Sequence, residues 1–346
     1  MVMDGFYLSR FSFQLRAIDP LRLPRYKGST FRGGFGHAFK KVVCAIRGKP
    51  CSECSLKMKC VYVYIFETMP PEGSEALRNY KSIPHPFIIE PPEDTRCNYE
   101  PGEVLSFNLI LIGKAVDYLP YFIYTFEELG RIGIGKGRGK YELKEINCDG
   151  KQIYNSVDRQ LKQTPPCSPS ILNAPQPPLK LRGGAEGGEV TSDLLLTRTT
   201  GTDTVSLNFL TPARIIVHGD LVVDLEFHQL IRNLLRRISN LSYFHCGLRL
   251  EIDFKGLIEK AEKVETVHRE LGWYDWERYS ARQETRMKLG GFIGTIGFKG
   301  GLKPFIPFLS LGEIIHIGKG TSFGLGRYRL EGKGEGGGKK YVNNLS

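Results

Sequence analysis

No stretch of this chain stays apolar long enough to cross a bilayer. Its longest uninterrupted runs, such as Val61-Tyr62-Val63-Tyr64-Ile65-Phe66, fall far short of the ~20 residues a spanning helix needs. Met1 to Leu8 lacks a basic stretch followed by an apolar run, so no secretory leader is expected and the expected location is the cytoplasm. There is no G-x-x-x-x-G-K-[ST] loop, because Lys319 is followed by Gly320, and neither H-E-x-x-H nor G-x-S-x-G occurs. Nucleotide hydrolysis and the zinc-protease and serine-hydrolase chemistries are therefore set aside.

Acid is scarce where base is dense. Residues 22–59 hold ten Lys/Arg against the single acid Glu53, and residues 131–144 and 299–329 each hold five basic residues against one acid, within a net charge of +11. Brought together by a fold, these segments make a surface suited to phosphate neutralisation and hence to nucleic acid; left apart, they are three solvated faces. None pairs its charge with a clean amphipathic helix, so a membrane surface is the weaker reading. With 346 residues, 41% hydrophobic and 25% charged, the composition is ordinary globular material of two-domain size.

What is plentiful is glycine, and it is patterned. Ile134-Gly135-Lys136-Gly137, followed by Gly139-Lys140-Tyr141-Glu142-Leu143, returns as Ile317-Gly318-Lys319-Gly320, followed by Gly326-Arg327-Tyr328-Arg329-Leu330. A basic glycine-rich loop running into a short strand thus occurs twice, at a spacing that implies two related domains. Glycine permits positive φ and exposes backbone N–H groups that can cradle an anion, and the alternative is a mobile surface turn.

Periodicity supplies the elements. Phe6–Leu15 reads as a strand ending at Asp19-Pro20. Thr30–Ile46 reads as a helix with Phe31, Phe35, Phe39, Val42/Val43 and Ile46 on one face. Strands follow near 61–67, 87–90 and 104–112, then a helix at 118–129 and the first loop with its strand. The second half repeats this with strands at 205–210 and 213–218, a helix at 226–241, an extended 248–254, a strand at 291–299 and a helix at 304–315. Each half is β-α-β-β-α-β, so the expected class is α+β with two tandem ferredoxin-like domains. The expected boundaries are 1–150 with an insertion at 44–60, an irregular linker at 151–204 with one edge strand at 193–198, a second domain at 205–331 and a flexible tail at 332–346.

Cys44, Cys51, Cys54 and Cys60 form C-x6-C-x2-C-x5-C. In a reducing compartment such a cluster suits metal more than disulfides, and four thiolates suit a closed structural zinc site; an iron–sulfur cluster and unliganded thiols are the other readings. Trp273 and Trp276 could stack on bases, but Glu270, Asp275 and Glu277 beside them favour a core role.

The run Phe31-Arg32-Gly33-Gly34-Phe35-Gly36-His37-Ala38-Phe39-Lys40-Lys41, with the following cysteines, resembles a branch of the CRISPR-associated endoribonucleases that process precursor repeat RNA. Phe209-Leu210-Thr211-Pro212-Ala213-Arg214 and Gly318-Lys319-Gly320-Thr321-Ser322-Phe323-Gly324-Leu325-Gly326 resemble the same family. The resemblance covers both domains but not the linker or tail. It implies a protein that grips a CRISPR repeat and cleaves it once without a catalytic metal, by attack of a ribose 2′-hydroxyl on the adjacent phosphate. It implies His37 as the acid–base residue, Lys40 and Lys41 on the same helix face as stabilisers of negative charge, and Tyr26 as a second proton-transfer group. His37 could instead cap or pack beside Phe35 and Phe39, and His316 is the second candidate.

Expected RNA contacts are Arg32, Arg232, Arg236, Arg237, Gly318, Lys319, Gly320, Thr321, Ser322 and Arg327, with Lys136 and Arg138 in the first loop. The second loop, longer and carrying two hydroxyls, is expected to do most of the gripping. The family includes proteins that bind RNA without cutting, so a non-catalytic RNA-binding subunit of a CRISPR effector complex is the alternative.

Overall fold

A computed structural model describes residues 5–70, 83–162, 203–217, 219–222, 224–275, 277–280, 285–288 and 290–332. Most of the expected linker, its 193–198 strand, the 333–346 tail and Trp276 lie outside the described residues. In the first half, β1 (Leu8–Ala17) and β2 (Leu21–Arg22) precede α1 (Gly28–Val43). After it come β3 (Phe87–Glu90), β4 (Asn98–Tyr99), β5 (Val104–Ile112), α2 (Leu119–Ile132), β6 (Tyr141–Cys148) and β7 (Lys151–Asn155). The main sheet is antiparallel in the order β3-β5-β1-β6-β7, and β2 pairs with β4.

The second half runs β8 (Thr204–Ala213), β9 (Ile216–Val217), β10 (Asp220–Leu221), α3 (Phe227–Leu241), α4 (Phe254–Ala261), β11 (Glu265–Tyr274), β12 (Glu277–Ser280), β13 (Thr285–Lys288), β14 (Gly291–Lys299), α5 (Ile306–Ile315) and β15 (Tyr328–Gly332). Its main sheet has the order β11-β14-β8-β15. Both sheets place the first strand between the third and the fourth, the ferredoxin-like arrangement, and the chain is α+β as expected.

Period-two burial explains the first core. Phe11, Phe13, Leu15 and Ala17 point from β1 toward α1 and α2, whose buried faces carry Phe31, Phe35, Phe39, Phe122 and Phe126. The alternation then stops where it should not if the sheet had one wet face: all four residues of β3 and the last four of β5 are buried. Phe87, Ile89, Leu109 and Leu111 join the first core, while Ile88, Ile110 and Ile112 join the core of the second domain. The back of the first sheet is thus covered by the second domain, which turns an alternating strand into a continuously apolar one.

Three expectations change. Val61–Glu67 is helical, with a wide turn at Val63–Glu67 ended by left-handed Thr68, because its apolar run packs Tyr62, Val63 and Ile65 inward as a buried helical segment does. Residues 248–253 form no strand; the second strand of that sheet is β11, preceded by α4 with Asp253 as its cap. Trp273 lies on edge strand β11, 46% exposed, with its indole N–H donating to Asp275, so it is not core. Beyond residue 150, β7 still pairs with β6 in the first sheet.

The ring of Phe35 packs 4.9–5.3 Å from those of Phe39, Phe122 and Phe126. Phe35→Ala should lower unfolding free energy by ~3–5 kcal/mol, read from urea titration. A loss below ~1 kcal/mol would show that α1 is not seated on this cluster.

Candidate nucleic-acid interface and active site

The glycine-rich loop that follows α5 is docked into the first domain rather than held out to solvent. Gly318 (φ +81°) lies so close to the Arg214 carbonyl that a Cβ there would sit 2.5 Å from it, and Lys319 N–H donates to the same oxygen at 2.9 Å. Thr321 and Ser322 are buried. The Tyr26 hydroxyl donates to the Phe323 carbonyl at 2.7 Å, and Gly28 leaves room for that carbonyl where a Cβ would sit 2.0 Å from it. Arg32 lies between two rings, its guanidinium carbon 4.4 Å from the centroids of both Phe66 and Phe323. Its Nε–H donates to Ser322 Oγ at 2.9 Å, and a terminal nitrogen lies 3.0 Å from His85 Nε2. Burial first, then Arg32, pushes His85 down to about 3, so its ring is neutral.

Behind the loop sits a carboxylate that the sequence reading missed. Glu90, 2% exposed, is contacted by Arg10 Nη2 (2.6 Å), Asn108 Nδ2 (3.1 Å), His316 Nε2 (3.0 Å) and Arg327 Nε (3.5 Å). Burial pushes Glu90 up, but the hydrogen bond and charge of His316, with Arg10 and Arg327, outweigh it and hold it at about 2. The other nitrogen of His316, Nδ1, is 3.2 Å from the Leu325 carbonyl. Both ring nitrogens therefore face acceptors. Burial lowers the His316 pKa below its ordinary value, against the hydrogen bond and charge of Glu90, which favour the charged ring, and Glu90 is the ring's carboxylate partner across the two domains. His316 is thus committed to the interface. The one signal for this site was a glutamate closing the apolar strand Phe87-Ile88-Ile89.

Several expected site residues are accordingly reassigned. Tyr26 is half-buried with its hydroxyl engaged, and burial, with Glu90 adding to it, raises its pKa far above the ordinary tyrosine value, so it is not poised to exchange a proton. Arg32, Thr321, Ser322 and Arg327 serve the interface; Arg327 also pairs with Glu93 at 2.9 Å. Arg237 is buried, donating from Nε to the Ile315 carbonyl at 2.9 Å, and burial pulls its pKa down to about 9. Arg232 and Arg236 do point outward from α3, along a groove shared with Asn240, Phe254, Lys255 and Glu259 of the α3–α4 pair. Lys319, Lys136 and Arg138 are exposed as well.

His37 stands on the open face of α1. Phe31, Phe35, Ala38 and Phe39 face the core, which leaves Gly33, His37, Lys40 and Lys41 exposed. His37 and His268 are the exposed histidines among the described residues; His268 lies 3.7 Å from Glu270, whereas His37 has no polar partner among the described residues. Lys40 Nζ reaches 5.6 Å from the Tyr62 ring centroid, and Lys41 is one helical turn from His37.

The cysteines do not form the expected ligand set. Among the described residues no group of three or more His, Cys, Asp or Glu side chains is placed to hold a metal. Cys44 turns its thiol to the Ile46 carbonyl at 3.1 Å, Cys51 and Cys60 pack against the first core, and burial raises the Cys51 thiol. These residues as placed do not fit a four-thiolate zinc or iron–sulfur site, and nothing below depends on one.

Residues 207–328 match the family model of CRISPR-associated endoribonuclease Cas6, and residues 6–166 match the N-terminal domain model AF_1859_N. The chain is 31% identical over 137 residues to an uncharacterized protein of Archaeoglobus fulgidus, covering 38% of this chain and 44% of that relative. It also resembles a partial Cas6-RT-Cas1–Cas2 complex (TM-score 0.56, 15% identity, 96% of this chain and 47% of that one). A Cas6 product complex matches at TM-score 0.50 and 14% identity, over 93% and 99% of the two chains. The chain thus spans less than half the length of the curated relative and of the complex chain, and at these identities the structural likeness is one of fold. No described helix is long and apolar enough to cross a membrane.

Two outcomes test the docked loop. Arg32→Lys should destabilise the protein by ~2–4 kcal/mol in chemical unfolding, since an ammonium cannot both stack between two rings and reach Ser322; stability equal to the parent would rule out the clamp. Glu90 has its folded pKa depressed, so its contribution is present above ~4.5 and is lost as pH falls from there toward 2. Thermal melts should show this acid limb, and Glu90→Gln should remove it. Below pH ~6.5 the buried neutral rings of His85 and His245 lose stability in parent and variant alike, so the Glu90 limb is read as the difference between the two, and no difference from ~4.5 down to 2 would rule it out.

Proposed function

We propose that the chain is a metal-independent endoribonuclease that binds precursor CRISPR RNA and cuts it within the repeat, yielding guide RNAs. The observation that carries this reading is His37, exposed beside Lys41 and Lys40 on a helix whose opposite face is locked in the core. The nucleophile, a ribose 2′-hydroxyl, belongs to the substrate, so the protein needs to move protons and to stabilise charge. His37 takes or returns a proton at the reacting oxygens, and Lys40 and Lys41 stabilise the extra negative charge of the pentacoordinate phosphate. The leaving group departs as a 5′-hydroxyl, and a 2′,3′-cyclic phosphate remains on the other fragment. Lys319, Arg232 and Arg236 supply cationic contacts to RNA on the second domain, and a larger CRISPR effector complex is the natural recipient of the product.

His37→Ala should slow single-turnover cleavage of the cognate repeat by ~10²–10⁴-fold while RNA affinity stays within about twofold, with cleavage by the parent unchanged in EDTA. Tight, salt-sensitive binding with no product from the parent at any pH would instead identify a non-catalytic RNA-binding subunit. Cleavage abolished by EDTA in a protein that remains folded would remove the metal-independent mechanism.

A further inference from the structure

We propose that the first glycine-rich loop, residues 133–139 with Arg22 beside it, is a second clamp for the RNA sugar–phosphate backbone, a proposal that rests on the RNA-processing reading above. The two loops are built alike, bond for bond. Lys136 N–H donates to the Arg22 carbonyl at 2.9 Å, as Lys319 N–H donates to that of Arg214 at 2.9 Å. Gly135 and Gly318 have φ of +72° and +81°, and a Cβ on either would sit 2.2 or 2.5 Å from the same arginine carbonyl. Gly137 and Gly320 follow at +84° and +80°. Ile134 N–H closes the first loop on the Gly139 carbonyl at 2.9 Å, and Ile317 N–H closes the second on that of Gly326 at 3.0 Å. Even the receiving segments match: Asp19-Pro20-Leu21-Arg22 in one domain, Thr211-Pro212-Ala213-Arg214 in the other.

The copies differ in what they face. The second is extended by Thr321-Ser322-Phe323, which is spent on the interface; Arg327 is paired with Glu90 and Glu93, and the Arg214 side chain donates to the Gly290 carbonyl. The first remains open: Arg22, Lys136, Gly137, Arg138 and Lys140 are all exposed, and Arg22, Lys136 and Arg138 have no acidic partner among the described residues. The adjoining acids are occupied, Asp19 by the Lys140 N–H at 3.1 Å and Glu142 by Arg16. Three exposed side-chain cations with no acidic partner among the described residues, beside glycine-exposed backbone, suit an extended polyanion.

Arg138 adds an independent argument. It adopts φ +53°, the left-handed region that favours glycine, with glycines on both sides. Local backbone physics therefore prefers Gly at 138, and the arginine side chain, directed into solvent, needs a reason outside the loop.

The double variant Lys136→Ala/Arg138→Gly tests the clamp on the full chain, with two labelled probes: RNA of the CRISPR repeat from the encoding genome and a scrambled RNA of equal length. Affinity should fall roughly tenfold on both, and the slope of log Kd against log salt should flatten by about 1.4, since each lost phosphate contact on a single strand contributes ~0.7. The melting temperature should hold or rise, because glycine relieves residue 138, and the cut should stay at the same nucleotide. Unchanged affinity and slope in a background that binds RNA overturns the clamp alone. A loss confined to the repeat sequence overturns it too, since that is base reading. If the parent binds neither RNA, the RNA-processing reading falls and the clamp with it.

Discussion

A carboxylate shut between two domains must be neutralised, and in this chain that requirement holds the rest together. Leaving an ion in such a place without partners costs several kcal/mol. Glu90 is met by Arg10 and Asn108 from its own domain and by His316 and Arg327 from the other, so neither domain can shift far without stranding a charge on an apolar face. His316 and Arg327 bracket the second glycine-rich loop. Fixing them fixes the loop, and the loop in turn seats Tyr26, Gly28 and Arg32 at the start of α1. The helix carrying His37 is thereby positioned by a charge buried on a strand far from it in the chain.

The helix has two unlike faces for this reason. Aromatic stacking around Phe35 and the Arg32 clamp hold one side, which leaves His37, Lys40 and Lys41 exposed together on the other. A reacting phosphate gains most from groups held in place beforehand, because no reorganisation is then needed as charge develops. A second contact works toward the same rigidity: the neutral His245 donates from Nε2 to the Pro84 carbonyl and accepts from Tyr64, and burial keeps its pKa near 4.

Much of this architecture could be read from residue patterns, and the gaps have physical causes. The period-two strands around Phe11 and Leu109, the amphipathic helix at Phe227–Leu241 and the doubled glycine loop all carry local signals, and they are where expected. Glu265–Tyr274 was missed because an edge strand that is mostly exposed shows no apolar alternation. Val61–Glu67 was misjudged because a short apolar run has no period to tell helix from strand. Regular cysteine spacing suggested convergence on a metal, and among the described residues no group of three or more candidate ligands is placed to hold one. Glu90 with His316 and Arg32 with Ser322 join residues 226 and 290 apart in the chain, and no local pattern announces such pairs.

The basic residues show most clearly what sequence leaves open. Arg32, Arg237 and Arg327 look as suited to phosphate as Lys136, Arg138, Arg232, Arg236 and Lys319, yet the first group is turned inward to rings, carbonyls and carboxylates. A guanidinium is planar, weakly hydrated and multiply donating, so it serves as interior fastener or as exterior anion ligand with equal chemistry; exposure alone separates the roles. The same division applies to the loops. The two copies share one backbone plan, and docking of the domains engages Ser322 and Arg327 of the second. On the proposal above, the first copy, whose Lys136 and Arg138 stay exposed, is the one left open to a polyanion.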